Sequence, residues 1–308
     1  MATILITGGT GMVGKRLTKI LLEKGFQVNI LTRDAAVVSA HPLLHYYQWD
    51  VSAGTIDAAA ISTADDIVHL AGAGVADKRW NTKRKQEIVD SRVQSGAIIV
   101  KALQSIPNQV QTVLSASGIG WYGADNAQSM KDGFTEDAVA DTEFLGETCK
   151  LWENAIKPVK ELKKRLVIFR IGIVLSTTGG ALVEFMKPIK FGFATILGSG
   201  KQNISWIHID DLCHSFIYAL ENKDMSGVYN AVAPETVSNK SLTVSLAKKL
   251  KGSFYLLFYI PAFLLKIILG GMSIEVLKSA KVNSYKLQAT GFMHQYPSLQ
   301  KALKNLLH

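Results

Sequence analysis

Ile4-Leu5-Ile6-Thr7-Gly8-Gly9-Thr10-Gly11-Met12-Val13-Gly14 stands at the start of a chain of 308 residues. An unbroken apolar run such as Ile4-Leu5-Ile6 fits a strand buried on both faces of a parallel sheet. Gly8, Gly11 and Gly14 then recur at a spacing with a physical meaning. The first allows a tight turn, the second lets backbone approach a pyrophosphate, and the third lets a helix pack on the sheet. Val13, Leu17, Ile20 and Leu21 continue with helical period, and Gly25 ends the helix. The first amides of that helix, with its dipole behind them, are turned toward an anion.

Working outward, short apolar runs at residues 4–7, 27–32, 45–49, 67–70, 112–117 and 166–171 read as strands, with helix-period stretches between several of them. Such alternation predicts an α/β fold with a doubly wound parallel sheet of the Rossmann kind. Beyond Gly172 the rhythm loosens into glycine-punctuated loops at Gly179-Gly180, Gly192 and Gly198-Ser199-Gly200, then resumes as a helix over 210–220 that Asp210 is placed to cap. From about Ser241 the chain reads as helix-rich. We therefore expect a dinucleotide-binding domain over 1–240, with substrate-side insertions after 172, and a small C-terminal lobe over 241–308 on the substrate side.

The second strand ends Ile30-Leu31-Thr32-Arg33-Asp34. A site for NAD usually closes this strand with an acid on the ribose 2′-hydroxyl, whereas an arginine suits the 2′-phosphate of NADP. Thr32 stands in the acid's place and Arg33 follows it, so the reading favours NADP over NAD, with Lys15 as a second positive charge. The alternative takes Arg33 as a solvated turn residue and gives the ribose to Asp34.

Composition bounds the rest. The net charge of +9 is spread over clusters such as Lys83–Lys85 and Lys248–Lys251, with no nucleic-acid-binding motif among them, so no nucleic-acid partner is expected. The two cysteines, Cys149 and Cys213, form no framework, which points to a reducing cytoplasm. The start, without a basic leader region, reads as a first strand and not as a signal peptide. The seven histidines show no paired-ligand spacing, so no metal site is expected. The apolar stretch over 253–269 is interrupted by Pro261 and Lys266 and falls short of the roughly 20 residues a membrane helix needs. It reads as a buried strand followed by an amphipathic helix from near Pro261, with peripheral membrane contact as a lesser alternative.

The glycine pattern, His69-Leu70-Ala71-Gly72, and the run from Ser115 to Gly123 together resemble the extended short-chain dehydrogenase/reductase superfamily. More narrowly, the chain resembles the YfcH-like group of NAD(P)-dependent sugar-nucleotide epimerases. The segments carrying the likeness are Ala76-Asp77-Lys78-Arg79-Trp80, residues 144–153, Arg170-Ile171-Gly172, Trp206-Ile207-His208 with Asp210-Asp211, and a tail from Pro261 that resembles that group's short C-terminal domain. The resemblance implies Gly8, Gly11, Met12, Val13 and Gly14 at the pyrophosphate, Arg33 at the adenosine end and Asp50 near the adenine. Leu70, Ala71 and Gly72 would line the ribose of the nicotinamide half, and Ser117 falls near the catalytic Ser/Thr position. Members dimerise through helices of the Rossmann face, so a homodimer is one expectation and a monomer the other.

The superfamily's chemistry uses a tyrosine that exchanges a proton with substrate and a lysine four residues later that lowers the tyrosine pKa from about 10. Here the corresponding helix has Phe144 and Leu145, with Thr148 or Cys149 in the lysine's place. The dyad is absent. Tyr122 is the remaining acid/base candidate, with Ser117 as the group that positions substrate; the alternative makes Tyr122 a packing residue with a satisfied hydroxyl. Trp80, beside Lys78 and Arg79, reads as a substrate wall, and His208 as either a substrate-side or a helix-start residue. Two functions follow. One is an NADP-dependent oxidoreductase or epimerase-like enzyme on a small polar or nucleotide-sugar-like substrate; the other is an NADP-binding regulatory or scaffold protein without turnover.

Overall fold

The computed structural model describes residues 2–34, 39 and 41–308. Its N-terminal half alternates strands with helices: β1 (Thr3–Thr7), α1 (Met12–Glu23), β2 (Gln27–Thr32), β3 (Leu44–Asp50), β4 (Thr55–Ile56), α2 (Ala58–Ser62), β5 (Asp66–His69), α3 (Thr82–Ser105), β6 (Thr112–Gly118), α4 (Ala127–Asp132), α5 (Phe144–Ile156) and β7 (Arg165–Ile171). The strands expected from the sequence are therefore present, with ends shifted by a residue or so. Every residue of β1 is buried, as an apolar strand covered on both faces requires. Along α1, Gly14, Leu17, Thr18, Ile20 and Leu21 form the buried face.

The second half adds β8 (Ile173–Leu175), α6 (Ala181–Lys190), β9 (Phe193–Leu197), β10 (Asn203–Ile204), β11 (Trp206–His208), α7 (Ile209–Glu221), β12 (Gly227–Ala231), β13 (Val237–Ser238), α8 (Asn239–Lys251), β14 (Leu256–Ile260), α9 (Ala262–Leu269), α10 (Ser273–Leu277), α11 (Tyr285–Ala289) and α12 (Leu299–Leu306). The main sheet runs β12-β7-β6-β5-β1-β2-β3-β4. All its pairings are parallel except the short β3–β4 hairpin. The order reverses between β1 and β5, the switch point at which open α/β sheets bind ligands beyond the carboxyl ends of their strands.

Cores lie on the two faces of this sheet. One packs α1 and α7 through Leu17, Leu21, Leu212 and Phe216; the other packs α3 and the end of α5 through Ile99, Leu103 and Ile156. A separate cluster, with Leu182, Ile189, Trp206, Leu246 and Leu303, builds the smaller lobe and draws on chain from both sides of residue 240. No helix among the described residues is long and apolar enough to cross a membrane.

Two local expectations are corrected. The strand in the apolar stretch exists as β14, but Leu256, Leu257, Phe258 and Tyr259 are exposed, because β14 is an edge strand paired only with β9 among the described residues. The helix that follows does start after Pro261. The start of α7 is capped by His208 and not by Asp210: His208 Nδ1 accepts from the Asp210 amide at 3.0 Å, while the Asp210 carboxylate reaches across to Arg16 of α1 at 2.6 Å.

Candidate cofactor and active site

The glycine loop joins β1 to α1 at the switch point. Gly11 caps α1 in an extended conformation without a side-chain hydrogen bond, and its own amide turns back to the Gly8 carbonyl at 3.0 Å. The amides of Met12, Val13 and Gly14 begin the helix, in the first turn that leaves N–H groups for an anion. Gly8 has φ +70°, and a Cβ there would stand 2.9 Å from the Leu70 carbonyl carbon. At Gly14 a Cβ would lie 2.2 Å from the Gly8 oxygen. Both contacts admit only glycine. The Met12 side chain reaches the Gly179-Gly180 turn, so the second half of the chain closes over this loop.

The Thr7 hydroxyl ties the loops together. It accepts from the amides of Leu70 and Ala71 at 3.2 and 3.1 Å and donates to His69 Nδ1 at 2.8 Å. That assignment needs a neutral imidazole. Burial, with the nearby Arg92 charge, pushes His69 down to about 3 and so keeps it neutral. Below residues 70–72, the Arg92 guanidinium donates to the Ala73 and Ile88 carbonyls and lies over the Trp152 ring at 4.8 Å. A Cβ on Gly72 would meet it at 3.1 Å. Arg84 donates to Gly74 O, and Trp80 Nε1 to Val75 O at 2.8 Å, so the whole segment after β5 is pinned to α3 and its approach.

On the other side of β1 from β5, Arg33 follows β2 and Asp50 ends β3, on strands that neighbour each other in parallel. Asp50 accepts from the Ser52 hydroxyl at 2.6 Å and from the Ser52 and Ala53 amides at 2.8 and 3.1 Å. These bonds, with Arg33 nearby, hold its carboxyl below the usual range.

Ser117 stands near the carboxyl end of β6 and Tyr122 just beyond it, yet neither hydroxyl is free. Ser117 Oγ donates to Glu153 Oε1 at 2.9 Å, and Glu153 holds Arg170 through contacts of 2.8 and 3.1 Å. Arg170 donates on to the Tyr122 oxygen at 3.2 Å, and Tyr122 donates to Asn230 Oδ1 at 2.6 Å. Tyr122 has no exposed surface and its ring stacks on Phe134. Burial pushes its hydroxyl up to about 12 despite Arg170. The phenol is thus engaged both as a donor and as an acceptor within the protein.

Phe144, at the start of α5, packs edge-on against Trp80 with ring centroids 4.9 Å apart. The Lys85 ammonium stands 4.8 Å from the Phe144 centroid and 5.8 Å from that of Trp80. Thr148 bonds the Phe144 carbonyl at 2.6 Å, and burial pushes the Cys149 thiol up to about 11. Trp80 also bridges Gly270 at the end of α9. Besides capping α7, His208 bonds Asn305 at 3.1 Å and stacks on Tyr296, fastening the C-terminal helix. No group of three or more His, Cys, Asp or Glu side chains among the described residues is arranged to hold a metal.

The glycines and the Leu70 segment stand out in the sequence, whereas Thr7, Lys85, Arg92, Glu153, Arg170 and Asn230 enter the candidate site only through their contacts in the structure. A signal for Arg92 was available, since it lies on the face of α3 that buries Ile88, Ser95 and Ile99. A charged residue on an apolar helix face has a partner to find.

Residues 4–232 match the NAD dependent epimerase/dehydratase family, and residues 260–306 match a domain of unknown function, DUF1731. The chain is 34% identical to epimerase family protein SSP1921 of Staphylococcus saprophyticus over 100% of both chains. It is 33% identical to epimerase family protein YfhF of Bacillus subtilis, over 99% of this chain and 97% of that one. Among solved structures, human epimerase family protein SDR39U1 with NADPH superposes with a TM-score of 0.85 at 28% identity, covering 99% of each chain. A nucleoside-diphosphate sugar epimerase of Corynebacterium glutamicum superposes with a TM-score of 0.77 at 29% identity, over 99% of this chain and 58% of that one.

Proposed function

The chain belongs to the NAD dependent epimerase/dehydratase family, and from that premise we propose that it is an NADPH-binding oxidoreductase or epimerase-like enzyme acting on a small polar substrate. The observation that carries the reading is the glycine-lined start of α1 at the switch point, where contacts at Gly8 and Gly14 exclude any side chain from the first turn, whose amides a helix leaves for an anion. A dinucleotide pyrophosphate fits that cradle. Bound there, the nicotinamide would supply or accept a hydride. The NADPH seen with the human relative and the position of Arg33 both support the phosphorylated cofactor. Two free, buried cysteines fit a reducing compartment such as the cytoplasm.

In this reading the residues divide the work as follows. Thr7 and His69 fix the backbone of residues 70–72 beside the glycine loop. Ser117 and Tyr122 keep the end of β6 in place through Glu153, Arg170 and Asn230, and are positioning residues. Phe144 and Trp80 form an apolar wall, and Lys85 above it is the cation that meets an anionic or hydroxylated part of the substrate.

A second reading, a cofactor-dependent regulatory or scaffold protein without turnover, is favoured by one specific feature: Phe144 and the buried Tyr122 replace the proton-exchanging phenol. Calorimetric titration with NADPH and NADH, followed by a screen of carbonyl compounds and nucleotide sugars, separates the two. Oxidation of NADPH or epimerised product supports the enzyme; tight binding with neither supports the scaffold. Absence of binding to either nucleotide overturns both.

A further inference from the structure

We propose that the face built from β9, β14 and α9 docks on an anionic phospholipid surface. On β14, Leu256 and Phe258 on one side are 68% and 55% exposed, and Leu257 and Tyr259 on the other are 49% and 45% exposed. Parallel pairing sets Phe193 beside Leu256, and Phe191 and Phe254 just before the two strands and Phe263, Ile267 and Ile268 on α9 are exposed as well. A patch of this kind marks an interaction surface.

Charge says what covers it. Residues 236–274 contain no Asp or Glu but carry Lys240, Lys248, Lys249, Lys251 and Lys266. Residues 185–209, which supply β9, contain no acid either and add Lys190 and Lys201, while Lys187 is paired with Glu184 at 2.7 Å. Among these, Lys248, Lys249 and Lys251 form the last turn of α8, directly before Phe254. Aromatic and aliphatic side chains flanked by lysines suit the boundary between acyl chains and anionic headgroups. A second copy of the chain would bring the lysines at the end of α8 against their own counterparts, which disfavours that occupant.

Backbone geometry limits the depth. The outer edge of β14 leaves N–H and C=O groups that hydrocarbon cannot satisfy, and no helix among the described residues is long and apolar enough to cross a membrane. The contact is therefore interfacial. Gly270 bridges Trp80, so the docked face abuts the rim of the candidate site.

The full chain should sediment with vesicles of 70% phosphatidylcholine and 30% phosphatidylglycerol in low salt, sediment weakly with pure phosphatidylcholine, and be released by about 0.5 M salt as screening shortens the range of attraction. Lys248→Gln/Lys249→Gln/Lys251→Gln should bind the anionic vesicles roughly 100-fold more weakly, at about tenfold per 1.4 kcal/mol and about 1 kcal/mol per lysine. Phe254→Ser/Phe258→Ser, with an unchanged melting temperature, should lose at least about 10-fold. No sedimentation with the anionic vesicles, or sedimentation retained by both variants, would overturn the proposal. So would a solution dimer that Phe258→Ser dissociates, since the occupant would then be a second copy.

Discussion

Tyr122 and Asn230 are joined by a buried hydrogen bond of 2.6 Å, the phenol donating to the amide oxygen, 108 residues apart in sequence. The bond uses the proton that an acid/base tyrosine would have to exchange. It also places Tyr122 at the end of a chain through Arg170 and Glu153 to Ser117.

Tyr122→Phe should therefore cost stability and not chemistry. Asn230 Oδ1 would lose its donor, an effect of about 1–3 kcal/mol in urea unfolding. NADPH affinity should stay within about 3-fold, less than the 1.4 kcal/mol of a tenfold change. A kcat fall of two orders of magnitude with stability intact would restore Tyr122 as a catalytic group.

Glu153→Gln should be the more damaging substitution. Glu153 and Arg170 are both almost fully buried, and removing one charge strands the other at about 3–5 kcal/mol. A loss below about 1 kcal/mol would show that water reaches the pair and that it does not hold β6 in place.

Much of this site could be read from the sequence where its logic is local. The spacing of Gly8, Gly11 and Gly14 and the apolar runs of β1, β2 and β6 are short-range signals, and they placed the sheet and the loop correctly. The network of Ser117, Glu153, Arg170 and Asn230 joins residues on four separate elements, and no spacing rule links them. At His208 the local pattern was ambiguous, because an imidazole and a carboxylate two residues apart can each cap a helix. β14 misled for another reason: an apolar run shows that a segment avoids water, not what shields it, so its exposure was invisible.

Acid should weaken the fold through its buried histidines. Burial, chiefly, pushes His69 down to about 3 and His208 to about 4, against about 6.5 in the unfolded chain. The unfolded state thus binds the extra protons. The stability these groups contribute is complete above about pH 6.5 and is lost as pH falls toward their folded values, at about 1.4 kcal/mol per pH unit for each. His208→Asn, which keeps a cap for α7, should reduce the slope of unfolding free energy between pH 6.5 and 5 by about one proton. An unchanged slope would mean that His208 already protonates in the fold.

Arg33 should discriminate between cofactors. Arg33→Ala removes a charge-assisted contact to a 2′-phosphate and should weaken NADPH by roughly 10- to 100-fold, leaving NADH within about 3-fold. Equal losses for both would assign Arg33 no part in the choice.

The measurement closest to the central claim is isothermal titration of NADPH into wild-type protein and into Gly14→Val, with folding checked by circular dichroism. A side chain at residue 14 must displace the Gly8 carbonyl, since even its Cβ would lie 2.2 Å away. The expected result is saturable binding to the wild type and a loss of at least about 100-fold in a folded variant. Wild-type binding that survives unchanged in folded Gly14→Val would contradict a pyrophosphate site at the start of α1.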